Sequence, residues 1–75
     1  MGTYNVRDMG AKADGVSNDG PVLQKAIDRC SENGGGRVEV PSGRYLCGTI
    51  TLKSGVELYL SAGAVLLCSL EKEHI

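Results

Sequence analysis

The chain has 75 residues and a mass of 7.9 kDa, which allow one small domain at most. Its formal charge of −1, with acidic and basic residues interspersed, excludes the dense basic surface typical of nucleic-acid binding. No apolar run approaches the ~18 residues of a membrane span, so we expect neither a nucleic acid nor a membrane as a partner.

So short a chain has closely balanced energetics. Burial of apolar surface on folding contributes at most ~105 kcal/mol, whereas ordering the residues costs ~110 kcal/mol. Cys30, Cys47 and Cys68 are odd in number and form no C-x-x-C pair, so we predict buried thiols rather than a disulfide framework or a zinc site. The chain is therefore expected to need a partner or further polypeptide.

The first predicted element is a strand over residues 3–8, in which Tyr4 and Val6 share one face. Residues 10–15 (GAKADG) are rich in turn formers, and the Asp-Gly pair at their end is a strong turn signal. We predict a loop between this strand and the next element.

A helix is predicted over residues 19–33. Asn18 or Asp19 can cap its start, Pro21 suits its first turn, and glycines 34–36 end it. Its apolar residues form one stripe at helical spacing: Val22, Leu23, Ala26, Ile27 and Cys30. The pattern indicates an amphipathic helix that packs on the outside of a core.

Beyond these glycines the apolar period changes to two. Segments 38–43, 50–55 and 58–63 share one template, in which two apolar residues flank any residue and a glycine follows three positions after the second. Their terminal glycines lie 12 and 8 residues apart, and the two intervals together make 20. That length is close to one turn of a parallel β-solenoid, in which short strands stack and turns recur at corners.

The domain prediction follows from this order. Residues 1–75 form a single incomplete domain, with the first solenoid rungs over residues 37–69 and a charged tail over residues 70–75. A rung cannot bury its own apolar face, so the helix is expected to cap one end and the last rung to be exposed. The exposed rung is a possible surface for self-association.

Three stretches together resemble a known family: residues 4–15 (YNVRDMGAKADG), residues 34–46 (GGGRVEVPSGRYL) and residues 48–67 (GTITLKSGVELYLSAGAVLL). The first two resemble the opening of pectin-lyase-like β-helices, and the third resembles the polygalacturonase family of glycoside hydrolases (family twenty-eight). The resemblance implies a mainly β fold, the start of a right-handed parallel β-helix with one N-terminal amphipathic capping α-helix. Two positions depart from the family, which commonly carries glycine at Ala13 and aspartate at Asn18.

The family's hydrolases are inverting enzymes that use aspartates in N-T-D and D-D motifs, followed by G-H-G and R-I-K motifs. None of these motifs occurs in the chain. The resemblance therefore implies the N-terminal cap and first rungs of a hydrolase of pectin-type polysaccharide, inactive alone and meeting its substrate only through the intact parent. We expect no catalytic, cofactor-binding or metal-binding residue here, and the family suggests a secreted or periplasmic parent although no signal peptide is evident.

Other residues have a structural and a functional interpretation. Asp14, Asn18 and Asp19 lack the spacing of a calcium loop, so turn and helix-cap roles are favoured. Glycines 34–36 follow a helix rather than precede one, which favours a helix end over a phosphate loop. His74 lies in the charged tail and is expected to be solvated.

Polysaccharide contacts are conceivable at four side chains. Tyr45 and Tyr59 can stack on sugars if exposed, and Arg44 and Lys53 can meet an acidic polysaccharide, although isolated basic residues usually only solvate a surface. Two alternative functions stay open at this point. One is a structural solenoid fragment that assembles with copies of itself, and the other is a glycan-binding module like those of phage tail-spikes.

Overall fold

The computed structural model describes residues 2–72. Six strands and one helix follow each other along the chain: β1 (Gly2–Asn5), β2 (Asp14–Asn18), α1 (Gly20–Glu32), β3 (Gly36–Val40), β4 (Gly43–Leu52), β5 (Val56–Leu60) and β6 (Ala64–Lys72). The helix is too short and too polar to cross a membrane, and no other helix occurs among the described residues.

The strands form two three-stranded parallel sheets, the first in the order β1-β3-β5 and the second in the order β2-β4-β6. Val38 pairs with Leu58 and Gly43 with Ala64, so the chain returns to the same place after 20 or 21 residues. We call the three stacked turns coil 1 (β1, β2 and α1), coil 2 (β3 and β4) and coil 3 (β5 and β6). The parallel stack matches the spacing that the glycines predict.

The core lies between the two sheets and the helix. Its side chains with no exposed surface are Val6, Leu23, Ala26, Ile27, Cys30, Val38, Val40, Tyr45 and Ile50. Among residues 2–72, coil 2 is covered on both sides, whereas coil 3 has a neighbour on only one side. Val40 is consequently 0% exposed, but Leu60, its partner in coil 3, is 45% exposed.

The helix α1 takes the place of a strand in coil 1. The predicted apolar stripe is the buried face, with Val22 half-buried and its other members fully buried. On the side facing coil 2, Gln24 hydrogen-bonds the backbone of Thr51, near the end of β4. The positions of coils 2 and 3 that correspond to the helix, 49–52 and 69–72, pair with each other as strands. The helix therefore covers the free edge of the ladder that these two segments form.

The first strand is shorter than the predicted range of 3–8. It ends at Asn5 because the Asn5 side chain turns the chain: its Oδ1 accepts the backbone N–H of Arg7 at 2.9 Å and that of Asp8 at 3.4 Å. Val6 then enters the core, where its N–H donates to the carbonyl of Glu39 in the neighbouring coil.

A strand also lies where the sequence predicts only a turn. In β2, Asp14 pairs with Arg44 and Asn18 with Leu46, and the register shifts between these pairs. The shift keeps the predicted turn inside the strand, because the Asp14 side chain accepts the N–H groups of Val16 and Ser17 at 2.9 and 2.7 Å. The extra residues form a bulge that leaves Val16 79% exposed.

The last strand extends past the predicted end of the rungs at residue 69. The backbone pairing between β4 and β6 continues from the pair Ile50–Leu70 to the pair Leu52–Lys72. Residues 70–72 therefore belong to the strand rather than to a separate tail, because β4 offers them a paired edge. The remainder of the predicted tail, with His74, lies outside the described residues.

The cysteine prediction is wrong for two of the three residues. Cys47 and Cys68, which are 21 positions apart in the sequence, form a disulfide with their Cα atoms 4.9 Å apart. That separation is one coil, so the two residues occupy the same corner of adjacent coils. Only Cys30 is a buried free thiol as predicted, and burial raises the pKa of that thiol.

Candidate functional site

The group of polar side chains that most resembles a binding site lies on the outer face of the first sheet. Because β1, β3 and β5 are parallel and in register, residues at equivalent positions lie side by side. We call the outward-facing group the outer ladder; its two rows are Thr3, Arg37 and Glu57, and Asn5, Glu39 and Tyr59. Val38 and Leu58 point the other way, toward the core.

Arg37 is the centre of the outer ladder. Its Nε lies 3.2 Å from Oε1 of Glu57, and its Nη1 lies 4.0 Å from Oε2 of Glu39. The guanidinium carbon is 4.9 Å from the ring centroid of Tyr59, within the range of a cation–π contact. The single cation is thus shared by two carboxylates and an aromatic ring.

An open groove of about 550 Å³ runs beside Arg37 and Glu57. Gly2, Gly36 and Gly55 line it together with Thr3, so no bulky side chain fills the corner. The corner needs glycine at position 36 for two reasons. The backbone there has φ +140°, and any Cβ would overlap the backbone of Gly2. The groove is therefore a product of close strand stacking.

The outer ladder presents an aromatic ring beside a cation. Tyr59 is 44% exposed, so part of its ring is free to contact a sugar while Arg37 covers another part. Glu39 and Glu57 are both ion-pair partners of Arg37. Among the residues whose side chains the structure describes, no three or more His, Cys, Asp or Glu cluster closely enough to hold a metal ion.

The three polar residues around the first loop do not form one site. Asp14 lies in the β2 bulge, where the N–H groups of Ser17 and Val16 lower the pKa of its carboxyl group. Asn18 accepts the N–H of Gly20 at 3.0 Å and so contributes to the start of the helix. Asp14 has the turn role that the sequence predicts.

Asp19 does not cap the helix through its side chain, in contrast to one of the predicted alternatives. Its carboxylate, in a residue only 2% exposed, accepts the N–H groups of Lys12 and Ala13, each at 2.9 Å. The loop needs these bonds because Ala13 has φ +57°, in the left-handed region that favours glycine, the residue that the family commonly carries at this position. Asp19 thus holds the loop closed.

The remaining predicted sugar or polysaccharide contacts have different outcomes. Tyr45 is fully buried, its hydroxyl donates to the carbonyl of Pro41 at 2.7 Å, and burial raises its pKa, so it packs in the core and cannot stack on a sugar. Lys53 pairs with Asp28 at 2.9 Å and links β4 to the helix. Arg44 is exposed on the outer face of the second sheet, with its side chain beside Gly15.

Glycines 34–36 end the helix as predicted. The N–H of Gly35 donates to the carbonyl of Cys30 at 2.8 Å, and all three residues have positive φ. The same bend brings the chain from the helix into β3.

Sequence reasoning missed the ion pairs of Arg37 and the role of Gln24. The first had a signal, because Arg37 and Glu57, like Glu39 and Tyr59, are one 20-residue coil apart. The bond between Gln24 and Thr51 joins residues 27 positions apart and has no periodic signal.

Three comparisons relate this architecture to known proteins. The family model described as rhamnogalacturonase A/epimerase, pectate lyase-like, matches residues 3–65. The chain is 43% identical to an exo-poly-alpha-D-galacturonosidase of Dickeya chrysanthemi over 65 residues, which are 87% of this chain and 10% of that protein. It is also 43% identical to mannuronan C5-epimerase AlgE1 of Azotobacter vinelandii over an alignment of 63 positions that covers 73% of this chain and 4% of the epimerase.

A solved structure gives the same result. The family 28 exopolygalacturonase of Yersinia enterocolitica superposes with a TM-score of 0.81 and 48% sequence identity, over 89% of this chain and 12% of the enzyme. The predicted resemblance to polygalacturonase-like proteins and the predicted fold class are both confirmed. The chain spans about a tenth or less of the length of these two curated relatives.

Proposed function

The chain belongs to the rhamnogalacturonase A/epimerase, pectate lyase-like family, and on that premise we propose that it forms the capped end and first coils of a longer enzyme that hydrolyses a pectin-type polysaccharide. The observation that carries the proposal is the difference between the two ends of the stack. The helix covers one end of the backbone ladder formed by positions 49–52 and 69–72. Coil 3, at the other end of the stack, has half-exposed apolar side chains.

At the covered end, Gln24 satisfies the backbone of Thr51, and the buried face of α1 packs against coil 2. A further strand could not pair with β4 at Thr51, because Gln24 already binds the backbone N–H and carbonyl of that residue. The helix therefore suits the end of a solenoid, where stacking has to stop.

At the other end, the inward side chains of coil 3 are half-buried where those of coil 2 are buried. Leu66 is only partly covered, whereas its partner Tyr45 is 0% exposed. Coverage of this surface by another coil would bury it as coil 2 is buried, at about 25 cal/mol for each Å² of apolar area. A following coil of the same polypeptide fits the parallel register that β5 and β6 already have.

A segment exchange tests this role. The part of the Yersinia exopolygalacturonase that matches this chain should be replaced by residues 3–65 of this chain, and a second variant of that enzyme should lack the segment altogether. We expect the exchanged enzyme to fold and release reducing ends from polygalacturonate, and the deleted enzyme to be insoluble or inactive. An inactive but folded exchange would contradict the proposal, because it would show that these coils are not interchangeable.

The proposal also predicts that the 75-residue chain has no hydrolase activity by itself. Its carboxylates on the outer ladder are bound to Arg37, and the catalytic motifs of the hydrolase family are absent from its sequence. Release of reducing ends from polygalacturonate by the purified chain would overturn this statement. A chain that is inactive but forms end-to-end assemblies in light scattering would favour the alternative of self-association through coil 3.

An epimerase parent is the second candidate, since the identity to the mannuronan C5-epimerase equals that to the galacturonosidase. The same exchange made in that epimerase distinguishes the two. If only the hydrolase accepts the segment, the hydrolase parent is favoured; if both accept it, the segment supplies the shared end of the fold and leaves the reaction to later coils.

A further inference from the structure

The disulfide between Cys47 and Cys68 joins coil 2 to coil 3 where the backbone ladder is interrupted. Pairing between β4 and β6 runs from Gly43 to Leu46, stops, and resumes at Thr49. The disulfide lies inside this interruption, and it links residues whose Cα atoms are 4.9 Å apart. A covalent bond thus connects the two coils at the corner where regular strand pairing is missing.

Coil 3 forms the end of the described stack that no helix covers. Leu60 is 45% exposed although its partner Val40 in coil 2 is 0% exposed, and β5 and β6 each pair on one edge only among residues 2–72. Segments with few buried contacts and exposed strand edges open locally before the whole protein unfolds. The disulfide closes a loop that contains all of β5, so it limits the freedom of coil 3 once that coil has left the stack.

The third cysteine does not compete for this bond. Cys30 is fully buried on the helix, and burial raises the pKa of its thiol, which disfavours the thiolate needed for exchange. Cys47 is 5% exposed and Cys68 is half-buried, so Cys68 is the more accessible of the two residues.

We propose that the Cys47–Cys68 pair is a redox-controlled clamp that holds coil 3 on coil 2. In the oxidised state, coil 3 stays stacked and presents its strand edges. A dithiol reductant that gives two electrons and two protons converts the bond to two thiols and itself becomes a disulfide; coil 3 then opens while the helix and coil 2 stay folded. A small disulfide such as oxidised glutathione takes back the two electrons and restores the bond.

The bond itself is tested by peptide mapping of the full chain after exposure to oxidised glutathione. Trypsin cleaves after Arg44, Lys53 and Lys72, which places Cys47 in peptide 45–53 and Cys68 in peptide 54–72. We expect these two peptides to be linked, and Cys30 to stay in the separate peptide 30–37. Absence of the linked pair, or a link to Cys30 instead, overturns the proposal.

The clamp is tested by hydrogen exchange with and without reductant. Reduction should accelerate exchange of the β5 and β6 amides by about a hundred-fold, the effect expected for opening a loop of this length, and change the α1 amides by less than about threefold. Cys68→Ser should exchange like the reduced chain in both conditions, whereas Cys30→Ala should keep the response. Equal acceleration in α1, or none in coil 3, overturns the clamp. Reduction of the unsubstituted chain decides the matter even if a variant fails to fold.

Discussion

The side chain of Gln24 binds the backbone of Thr51 as the peptide group of a neighbouring strand would. Its Oε1 accepts the Thr51 N–H at 2.8 Å, and its Nε2 donates to the Thr51 carbonyl at 3.1 Å. The same Nε2 donates to Asp28 at 3.0 Å, which fixes the orientation of the amide. One side chain therefore satisfies both polar groups on a strand edge that the helix would otherwise leave unpaired.

Replacement of Gln24 by Leu should lower the free energy of unfolding by about 2 kcal/mol, because both polar groups of Thr51 lose their partner in a partly buried place. Gln24→Glu should also destabilise the chain at neutral pH, because its second carboxylate oxygen would face the Thr51 carbonyl and the Asp28 carboxylate, to both of which the amide donates. Urea unfolding checks both values, and Lys25→Ala, on the exposed face of the same helix, is the control. A Gln24→Leu variant as stable as this control would contradict the role of the amide pair.

Asp19→Asn should destabilise the chain by about 2 kcal/mol. The buried carboxylate accepts two backbone N–H groups, and an amide can accept only one while its NH₂ group faces the other donor. Asp14→Asn is the control, because Asp14 also accepts two backbone N–H groups but lies in solvent, and its effect should be smaller. Equal losses from the two substitutions in thermal unfolding would show that burial does not set the cost.

The stacked corners predict an order of cost for three glycine substitutions. Gly35→Ala should be the worst, at about 3 kcal/mol or more, because a Cβ there lies 2.6 Å from the carbonyl oxygen of Gly55 and φ is +98°. Gly34→Ala should cost about 1 kcal/mol, since φ is +90° but the space is open. Gly48→Ala, which meets nothing within 4 Å, should change stability by about 0.5 kcal/mol or less. Urea unfolding of the three variants measures this order, and a Gly34→Ala variant as unstable as Gly35→Ala would show that stacking is not the cause.

Protonation of Asp28 should lower the stability of the folded chain at acid pH. Hydrogen bonds from Lys53, first, and from Gln24 hold the pKa of its carboxyl group below the ordinary value of 3.8. Since the ionised form is favoured in the folded chain, this contribution is complete above that value and is lost as the pH falls through the lower pKa. Lys53→Met should flatten the decline in melting temperature below about pH 4, whereas Lys25→Met should leave it unchanged. An identical acid profile for the Lys53 variant and the original chain would contradict the assignment.

Much of the fold is predictable because its determinants are local or periodic. The apolar stripe around Leu23 and Ile27 defines the buried face of the helix, and the spacing of glycines 43 and 63 gives the length of a coil. These patterns repeat at distances that elementary geometry sets, 3.6 residues for a helix and about 20 for this solenoid.

What the sequence does not reveal depends on the three-dimensional position of one residue relative to another coil. The β2 strand is obscured because its Asp14 makes a turn inside a paired strand. Cys47 and Cys68 fit no short cysteine motif, and their partnership follows only once the 21-residue return of the chain is known. Asp19 stands at the start of a helix, where capping is the ordinary expectation, but the positive φ of Ala13 creates a stronger demand for its carboxylate.

The corner between Leu46 and Thr49 also bears on how such chains change in length. Coil 2 has two residues there, Cys47 and Gly48, whereas coil 3 has Cys68 alone between Leu67 and Ser69. The added residue leaves the alternation of inward and outward side chains intact on both sides of the corner. An insertion within Val38–Val40 would instead turn core side chains to solvent. Divergence between homologous proteins, and loops grafted by protein engineers, should therefore accumulate at Gly48, where the surface has room for them.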